Sequence, residues 1–132
     1  MKSTLFRYFS AVLLALLLPQ LANAADVVVI SHPGTTITAG DVKDVFLGDK
    51  QFAGATKLVP VDNASLQDSF LAKFLDMPKS KYSNAWTKKS FRDGLIAPAV
   101  KSGDAEVIDF VKRTPGAVGY VSSAPPGVNV AK

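Results

Sequence analysis

Short apolar runs alternate with amphipathic segments along this chain, and the pattern predicts strands that alternate with helices. Four β-branched residues at 27–30 predict a buried strand, and apolar runs predict further strands at 58–61, 117–121 and 128–130. Apolar residues at helical spacing predict helices over 39–47, 66–75, 80–91 and 102–113. This order indicates an α/β fold with a short mixed sheet flanked by about four helices.

Residues typical of helix termini flank the predicted helices. Thr38 precedes the first helix and Gly48 follows it, as expected for an amino-terminal cap and a carboxyl-terminal stop. We expect Ser65 to cap the second helix, with Asp68 completing a capping box, and Ser80 to cap the third.

Helical spacing also assigns four aromatic side chains to the core. They are Phe70, Phe74, Trp86 and Phe110.

The first 24 residues have the pattern of a secretory signal peptide. Lys2 and Arg7 form a positive region, residues 11–18 are apolar, and Ala-Asn-Ala at 22–24 is a small-x-small cleavage site. The apolar run is too short to cross a bilayer, so a retained anchor is the less favoured alternative. We expect a periplasmic domain of residues 25–132 without stable membrane insertion.

Composition limits the possible functions. Removing residues 1–24 from the 132-residue chain leaves 108 residues, which suit one domain and not two lobes. Lys2 and Arg7 leave with the signal, so the formal charge falls from +4 to +2 and gives little support for a nucleic-acid partner. The chain has no Cys, which excludes disulfides and thiol chemistry.

The polar turn at residues 62–67 is the best candidate site, because it follows a predicted strand and opens a predicted helix. Backbone N–H groups at such a turn point toward one spot and attract anions. A hydroxyl from Ser65 and amides from Asn63 and Gln67 could replace water around phosphate or sulfate. We therefore predict an oxyanion site at Asp62, Asn63, Ser65, Leu66 and Gln67. Alternatively, Ser65 is only a helix cap and Asp62 only a turn residue.

The remaining polar residues predict neither catalysis nor a metal site. His32 has no acidic neighbour at ligand spacing, so we expect a surface or hydrogen-bonded structural histidine. Paired carboxylates, nucleophile motifs and Gly-rich phosphate loops are absent from the sequence, so we predict no enzymatic activity and no cofactor. We expect a solvated basic face on the third helix, formed by Lys79, Lys81, Lys88, Lys89 and Arg92.

Several short motifs, taken in order, resemble one family of exported proteins. They are DVFLG at 44–48, VPVD at 59–62, Ser65 followed by Phe70, the spacing of Tyr82, Trp86 and Phe91, Asp93-Gly94, and TPGAVGYV at 114–121. With these motifs the mature chain resembles the short phosphate ABC transporter substrate-binding-like proteins. That resemblance implies a single-lobe domain of the type 2 periplasmic-binding-protein fold. It also implies phosphate or a related oxyanion as ligand, with an ABC permease as partner.

The chain departs from full-length members of that family at the positions that hold the anion. Ser65 is kept, but Leu66 and Gln67 stand where Gly and Thr would be, and no Arg lies in the preceding turn. A bidentate Arg clamp is therefore lost. The resemblance also covers about one lobe, whereas closure around a ligand needs two. These departures imply weak phosphate binding or none, unless a second protein or a second copy supplies the missing wall.

Two functions remain open from the sequence. The leading one is a periplasmic solute-binding-like protein for ABC-type uptake, and the alternative is a non-catalytic interaction module that kept the fold and lost anion binding. A concave polar pocket at Ser65 favours the first function. An exposed apolar patch of several hundred Å² favours the second.

Overall fold

A five-stranded mixed sheet organises residues 26–132, which are the part of the chain that this computed structural model describes. The predicted signal peptide at 1–24 lies outside the described residues. The strands are β1 (Val28–Ser31), β2 (Phe52–Ala53), β3 (Thr56–Lys57), β4 (Val59–Asn63), β5 (Ala99–Lys101), β6 (Ala117–Val121) and β7 (Asn129–Val130).

Four α-helices connect these strands. They are α1 (Val42–Phe46), α2 (Gln67–Phe70), α3 (Lys79–Asp93) and α4 (Asp104–Arg113). A 3₁₀ turn at Ala39–Asp41 leads into α1, and a π-helical segment at Leu71–Leu75 continues α2. None of the helices between residues 26 and 132 combines the length and hydropathy that a bilayer crossing requires.

The sheet has the strand order β5-β4-β6-β1-β7. Strand β4 runs parallel to β5 and β6, whereas β1 runs antiparallel to β6 and β7. The short β2–β3 hairpin stands apart from this sheet. Strand β5 therefore pairs on one side only and forms one edge of the sheet.

Side chains of β6 alternate between two cores, because successive residues of a strand point to opposite faces. Val118 and Tyr120 belong to the larger core, which contains buried residues of α1, α2 and α3. Ala117 and Val121 belong to a smaller core with residues of α4. The Tyr120 ring stacks on Phe70 with centroids 3.9 Å apart, which fixes α2 over the centre of the sheet.

The predicted α/β architecture is confirmed, and three short strands were missed. The strands expected at 27–30, 58–61, 117–121 and 128–130 correspond to β1, β4, β6 and β7 with small shifts at their ends. The prediction gave no strand at β2, β3 or β5. Each has only two or three residues, and each is recognisable only from its partner.

Two predicted helix caps are wrong. Helix α2 begins at Gln67 with Leu66 in the capping position, because the Ser65 hydroxyl instead donates to Asn63 Oδ1 at 2.6 Å. Helix α3 begins at Lys79 after Pro78, so Ser80 lies inside its first turn. Helix α3 ends at Gly94, which has a left-handed φ of 68° and whose N–H donates to Ser90 O at 3.2 Å.

The predicted core aromatics are confirmed. Phe70 and Trp86 are buried, and Phe74 and Phe110 are partly buried against the two cores.

Gly119 in β6 allows α4 to lie directly on the sheet. A Cβ at this position would lie 2.5 Å from Val107 Cγ1 of α4, closer than real contacts permit. We expect Gly119→Ala to lower the free energy of unfolding by about 1 to 3 kcal/mol, because α4 must move away from the strand. Urea denaturation measures this change.

Gly40→Ala is the matched control. A Cβ at Gly40 meets only Thr38 Oγ1 at an ordinary 3.7 Å, so we expect a change within about 0.5 kcal/mol. Equal stability losses in the two variants would contradict the close packing of α4 on β6.

Candidate functional site

The carboxyl end of β4 lies where the sheet, α2 and α3 meet. Strand β4 ends in Asp62 and Asn63, both almost fully buried, and the chain turns through exposed Ala64 and Ser65 before α2 begins. Helix α3 contacts the same strand end through Tyr82. The predicted anion-binding turn thus lies at a junction of three elements.

The Asp62 carboxylate is held by two tyrosine hydroxyls. Its side chain is 1% exposed, and its oxygens accept hydrogen bonds from Tyr82 Oη and Tyr120 Oη, each at 2.8 Å. Burial raises the pKa of Asp62, while the two tyrosine hydrogen bonds and nearby Lys79 oppose that rise. Burial and the Asp62 charge raise the pKa of both tyrosines, so they remain neutral donors.

The Asn63 side chain joins three segments and is fully buried. Its Nδ2 donates to Asp104 Oδ1 at 2.7 Å and to Tyr120 O at 3.0 Å. Its Oδ1 accepts from the backbone N–H of Ser65 at 3.0 Å and from the Ser65 hydroxyl. Asn63 therefore holds the turn in place and has no donor left for a ligand.

Asp104, at the start of α4, extends this network to the end of β6. Its Oδ2 accepts from Ser122 N at 3.0 Å and from Ser122 Oγ. Partial burial raises the pKa of Asp104, but the hydrogen bonds from Ser122 and Asn63 outweigh it and lower the pKa overall. The sequence prediction did not single out Asp104, because its partners lie 41 and 18 residues away.

Backbone donors of the predicted anion site are already in use. Ala64 N donates to Lys101 O at 2.9 Å, and Leu66 N donates to Asn63 O at 3.0 Å. Ser65 N donates to Asn63 Oδ1, so the N–H groups of Ala64, Ser65 and Leu66 all have partners. Ligand binding by Asp62, Asn63, Ser65 and Leu66 stays a prediction, but the geometry leaves Gln67 as the available donor of the set.

A groove of about 520 Å³ runs between α3 and the ends of β4 and β5, and we call it the α3 groove. Asp62 and Gln67 are the members of the predicted site that line it. Further polar groups come from Lys79, Tyr82, Ser83, Thr87 and Ser90. Apolar walls come from Ala64, Trp86, Phe91, Ala97, Pro98 and Val100.

Gln67 is the one member of the predicted site with an available side-chain donor. Gln67 is 8% exposed, and its side-chain amide makes no hydrogen bond to another group within residues 26–132. Every fully buried side-chain nitrogen or oxygen in this range has a hydrogen-bond partner. The Gln67 amide has none, so it is not fully buried, and it is the part of this residue that reaches the groove. An amide so placed can donate to an anion.

The predicted solvated face of α3 is correct only in part. Lys81, Lys88 and Arg92 are exposed. Lys89 instead donates to Leu47 O and pairs with Asp49 at 2.8 Å, which ties α3 to the loop after α1. Lys79, the first residue of α3, is exposed as predicted and also lines the α3 groove.

His32 is a hydrogen-bonded structural residue, as predicted. Its Nδ1 accepts from the backbone N–H of Gly34 at 3.0 Å. Within residues 26–132, no cluster of His, Cys, Asp and Glu side chains could hold a metal ion.

The fold is similar to that of solved transport proteins. PstS from Borrelia burgdorferi superposes with a TM-score of 0.59 over 81% of this chain, at 17% sequence identity. A candidate phosphate ABC transporter substrate-binding protein from Clostridium perfringens, whose structure contains phosphate, gives 0.52 over 81% at 14% identity. The described residues therefore share the fold of part of these proteins.

The likeness is one of fold, and it covers part of the neighbours. The chain spans 46% and 44% of the length of the Borrelia and Clostridium proteins. No family model and no curated protein matches the sequence. These neighbours are substrate-binding proteins of transport systems rather than enzymes.

Replacing Asn63 tests the network beneath the turn. Asn63→Ala removes four hydrogen bonds and leaves a buried carbonyl and a carboxylate oxygen without their partner. We expect the free energy of unfolding to fall by about 2 to 4 kcal/mol, measured by urea denaturation.

The control for this change is Ser65→Ala, which removes one hydroxyl from an exposed residue. We expect it to cost about 1 kcal/mol or less. If Asn63→Ala cost no more than Ser65→Ala, the network would not be what holds the turn.

The raised pKa of Asp62 predicts a specific dependence of stability on pH. At a pH between the ordinary pKa of 3.8 and the folded-state pKa, the native protein binds more protons at Asp62 than the unfolded chain does. The contribution of this group to stability is therefore fully present below 3.8 and is lost as pH rises through the folded-state pKa.

Urea unfolding of wild-type protein and Asp62→Asn from pH 3.8 upward tests this sign. We expect wild-type to lose stability relative to the variant as pH rises, and the difference to become constant above the folded-state pKa. Carboxyls with lowered pKa, such as Asp104, are present in both proteins and cancel in the comparison. A difference that moves in the opposite direction would show that the tyrosine hydrogen bonds outweigh burial.

Proposed function

We propose that this chain is an exported solute-binding-like protein that holds phosphate or a related oxyanion in the α3 groove for ABC-type uptake. Gln67 carries the proposal, because its side chain is nearly buried, lines the groove and lacks a protein partner within residues 26–132. The amide is accessible from the groove and can donate a hydrogen bond to the oxygen of a bound anion.

Lys79 supplies the positive charge of the proposed site. It lines the same groove as Gln67, and its charge acts on Asp62 at the base of the groove. Its position as the first residue of α3 adds the partial positive charge of a helix amino terminus. An ammonium group and an amide make a simpler donor set than the Arg clamp of the full-length family.

The other members of the predicted site act as support in this proposal. Asp62 and Asn63 fix the end of β4 through internal hydrogen bonds, and the turn at Ser65 and Leu66 places Gln67 at the groove. The fold shared with substrate-binding proteins of transport systems supports a solute-binding role. Phosphate as ligand, an ABC permease as partner and the periplasm as location belong to the proposal.

The alternative of an interaction module receives less support. Its expected feature was an exposed apolar patch, and Phe91, Ile96 and Val100 are exposed. Phe91 and Val100 line the α3 groove together with Gln67 and Lys79, so they belong to a concave pocket, whereas Ile96 lies outside this groove.

Isothermal titration of residues 25–132 with phosphate and sulfate tests the proposed function. We expect dissociation constants in the millimolar range, equivalent to about 4 kcal/mol, because the groove is open on one side. Lys79→Ala should weaken binding about fivefold, since it removes one partly screened charge interaction of about 1 kcal/mol.

Lys81→Ala is the matched control, because it removes the same charge from an exposed position of α3 outside the groove. We expect it to leave binding unchanged. Folded protein that gives no heat with either anion at millimolar concentration would remove the solute-binding role.

A further inference from the structure

The α3 groove is larger than an inorganic anion requires. Its volume of about 520 Å³ lies within the range of about 300 to 1,000 Å³ that is typical of pockets for organic ligands. Such pockets combine apolar walls with a few polar groups that orient the ligand.

Polar and apolar groups are separated along the length of the groove. Lys79 begins α3, and Phe91 lies twelve residues later, about 18 Å further along the helix axis at 1.5 Å per residue. Phe91 is 89% exposed and Val100 is 59% exposed, although both line the groove. Trp86 lies between the two ends and is buried. The groove therefore offers a charged end and an apolar end.

Two hydroxyls between these ends are already engaged. Thr87 Oγ1 donates to Ser83 O at 3.0 Å, and Ser90 Oγ donates to Leu95 O at 2.9 Å. Their protons point to the backbone of α3 and its following loop and not to a ligand. The donors left for an anion are concentrated near Gln67 and Lys79.

We infer that the α3 groove binds a small amphipathic organic anion, with its charged group at Gln67 and Lys79 and its apolar body along Trp86, Phe91 and Val100. This inference rests on the proposed solute-binding function and names a ligand class for the same site. The charged group is a phosphate monoester or a carboxylate, since both accept hydrogen bonds from an amide and an ammonium group.

Asp62 does not prevent an anion from binding at this end. Its carboxylate lines the groove, but it is 1% exposed and both oxygens face tyrosine hydroxyls. A ligand therefore meets Gln67 and Lys79 before it meets this carboxylate. No other acidic side chain lines the groove within residues 26–132.

Titration of residues 25–132 with four probes tests the inference. The probes are inorganic phosphate, octyl phosphate, octanoate and the uncharged octanol, because an octyl chain is long enough to reach from Lys79 toward Phe91. We expect octyl phosphate to bind about tenfold or more tightly than inorganic phosphate, because its chain removes apolar surface of the groove from water. We expect octanoate to bind measurably and octanol to bind more weakly than both charged octyl compounds.

Two exposed phenylalanines give a matched pair of variants. Phe91→Ala should remove most of the advantage of octyl phosphate over inorganic phosphate while leaving inorganic phosphate binding unchanged. Phe52→Ala removes an aromatic ring that is 54% exposed and lies outside the groove, and it should have no effect. Both positions are exposed enough for the variants to fold, which circular dichroism checks.

The outcomes separate this inference from the proposed function. Equal binding of inorganic and octyl phosphate would overturn the inference and leave oxyanion binding standing. Binding of the octyl anions without inorganic phosphate would support the inference and remove inorganic phosphate as the ligand. Octanol binding as tightly as octyl phosphate would overturn the requirement for a charge. Absence of binding by all four probes to folded protein would overturn both.

Discussion

The paired hydrogen bonds from Tyr82 and Tyr120 to the Asp62 carboxylate are the constraint on which the rest of this structure depends. They join α3 and β6 to the end of β4, so three elements that are distant in sequence meet at one buried group. A carboxylate without these donors would be costly to bury, and the two hydroxyls offset part of that cost. Tyr82 holds α3 across the end of the sheet, and the α3 groove lies between this helix and the strand ends.

The same network occupies the hydrogen-bond donors of the turn that was predicted to bind an anion. Asn63 uses its whole amide to connect β4, α4 and β6, and it draws the N–H and hydroxyl of Ser65 into the same cluster. These donors therefore make hydrogen bonds within the protein and are not available to water or a ligand. The donors that remain for a ligand are the amide of Gln67, the first residue of α2, and the ammonium group of Lys79, the first residue of α3.

The sequence alone predicted much of the fold and part of the candidate site. Periodicity located the long strands, the helices and the core position of Phe70, because those patterns are local. It missed β5, whose three residues are defined by pairing with β4, and it assigned Ser65 to a helix cap that Leu66 occupies. Gln67 was in the predicted set, whereas Lys79, which lines the same groove, was assigned to a solvated face. Both residues line one groove because α3 packs against the ends of β4 and β5, and local sequence patterns do not predict this packing.

The open geometry of the groove decides which interactions can hold a ligand there. The chain spans less than half of the Borrelia and Clostridium proteins, and the α3 groove is open to solvent on one side. In such a setting water and salt screen the attraction between an anion and Lys79, whereas apolar contact with Phe91 and Trp86 is hardly screened. The charge at Lys79 therefore orients a ligand, and the apolar wall contributes most of its affinity. A second chain that closed over the groove would exclude water and strengthen the ionic contact, which is the physical reason that substrate-binding clefts benefit from two walls.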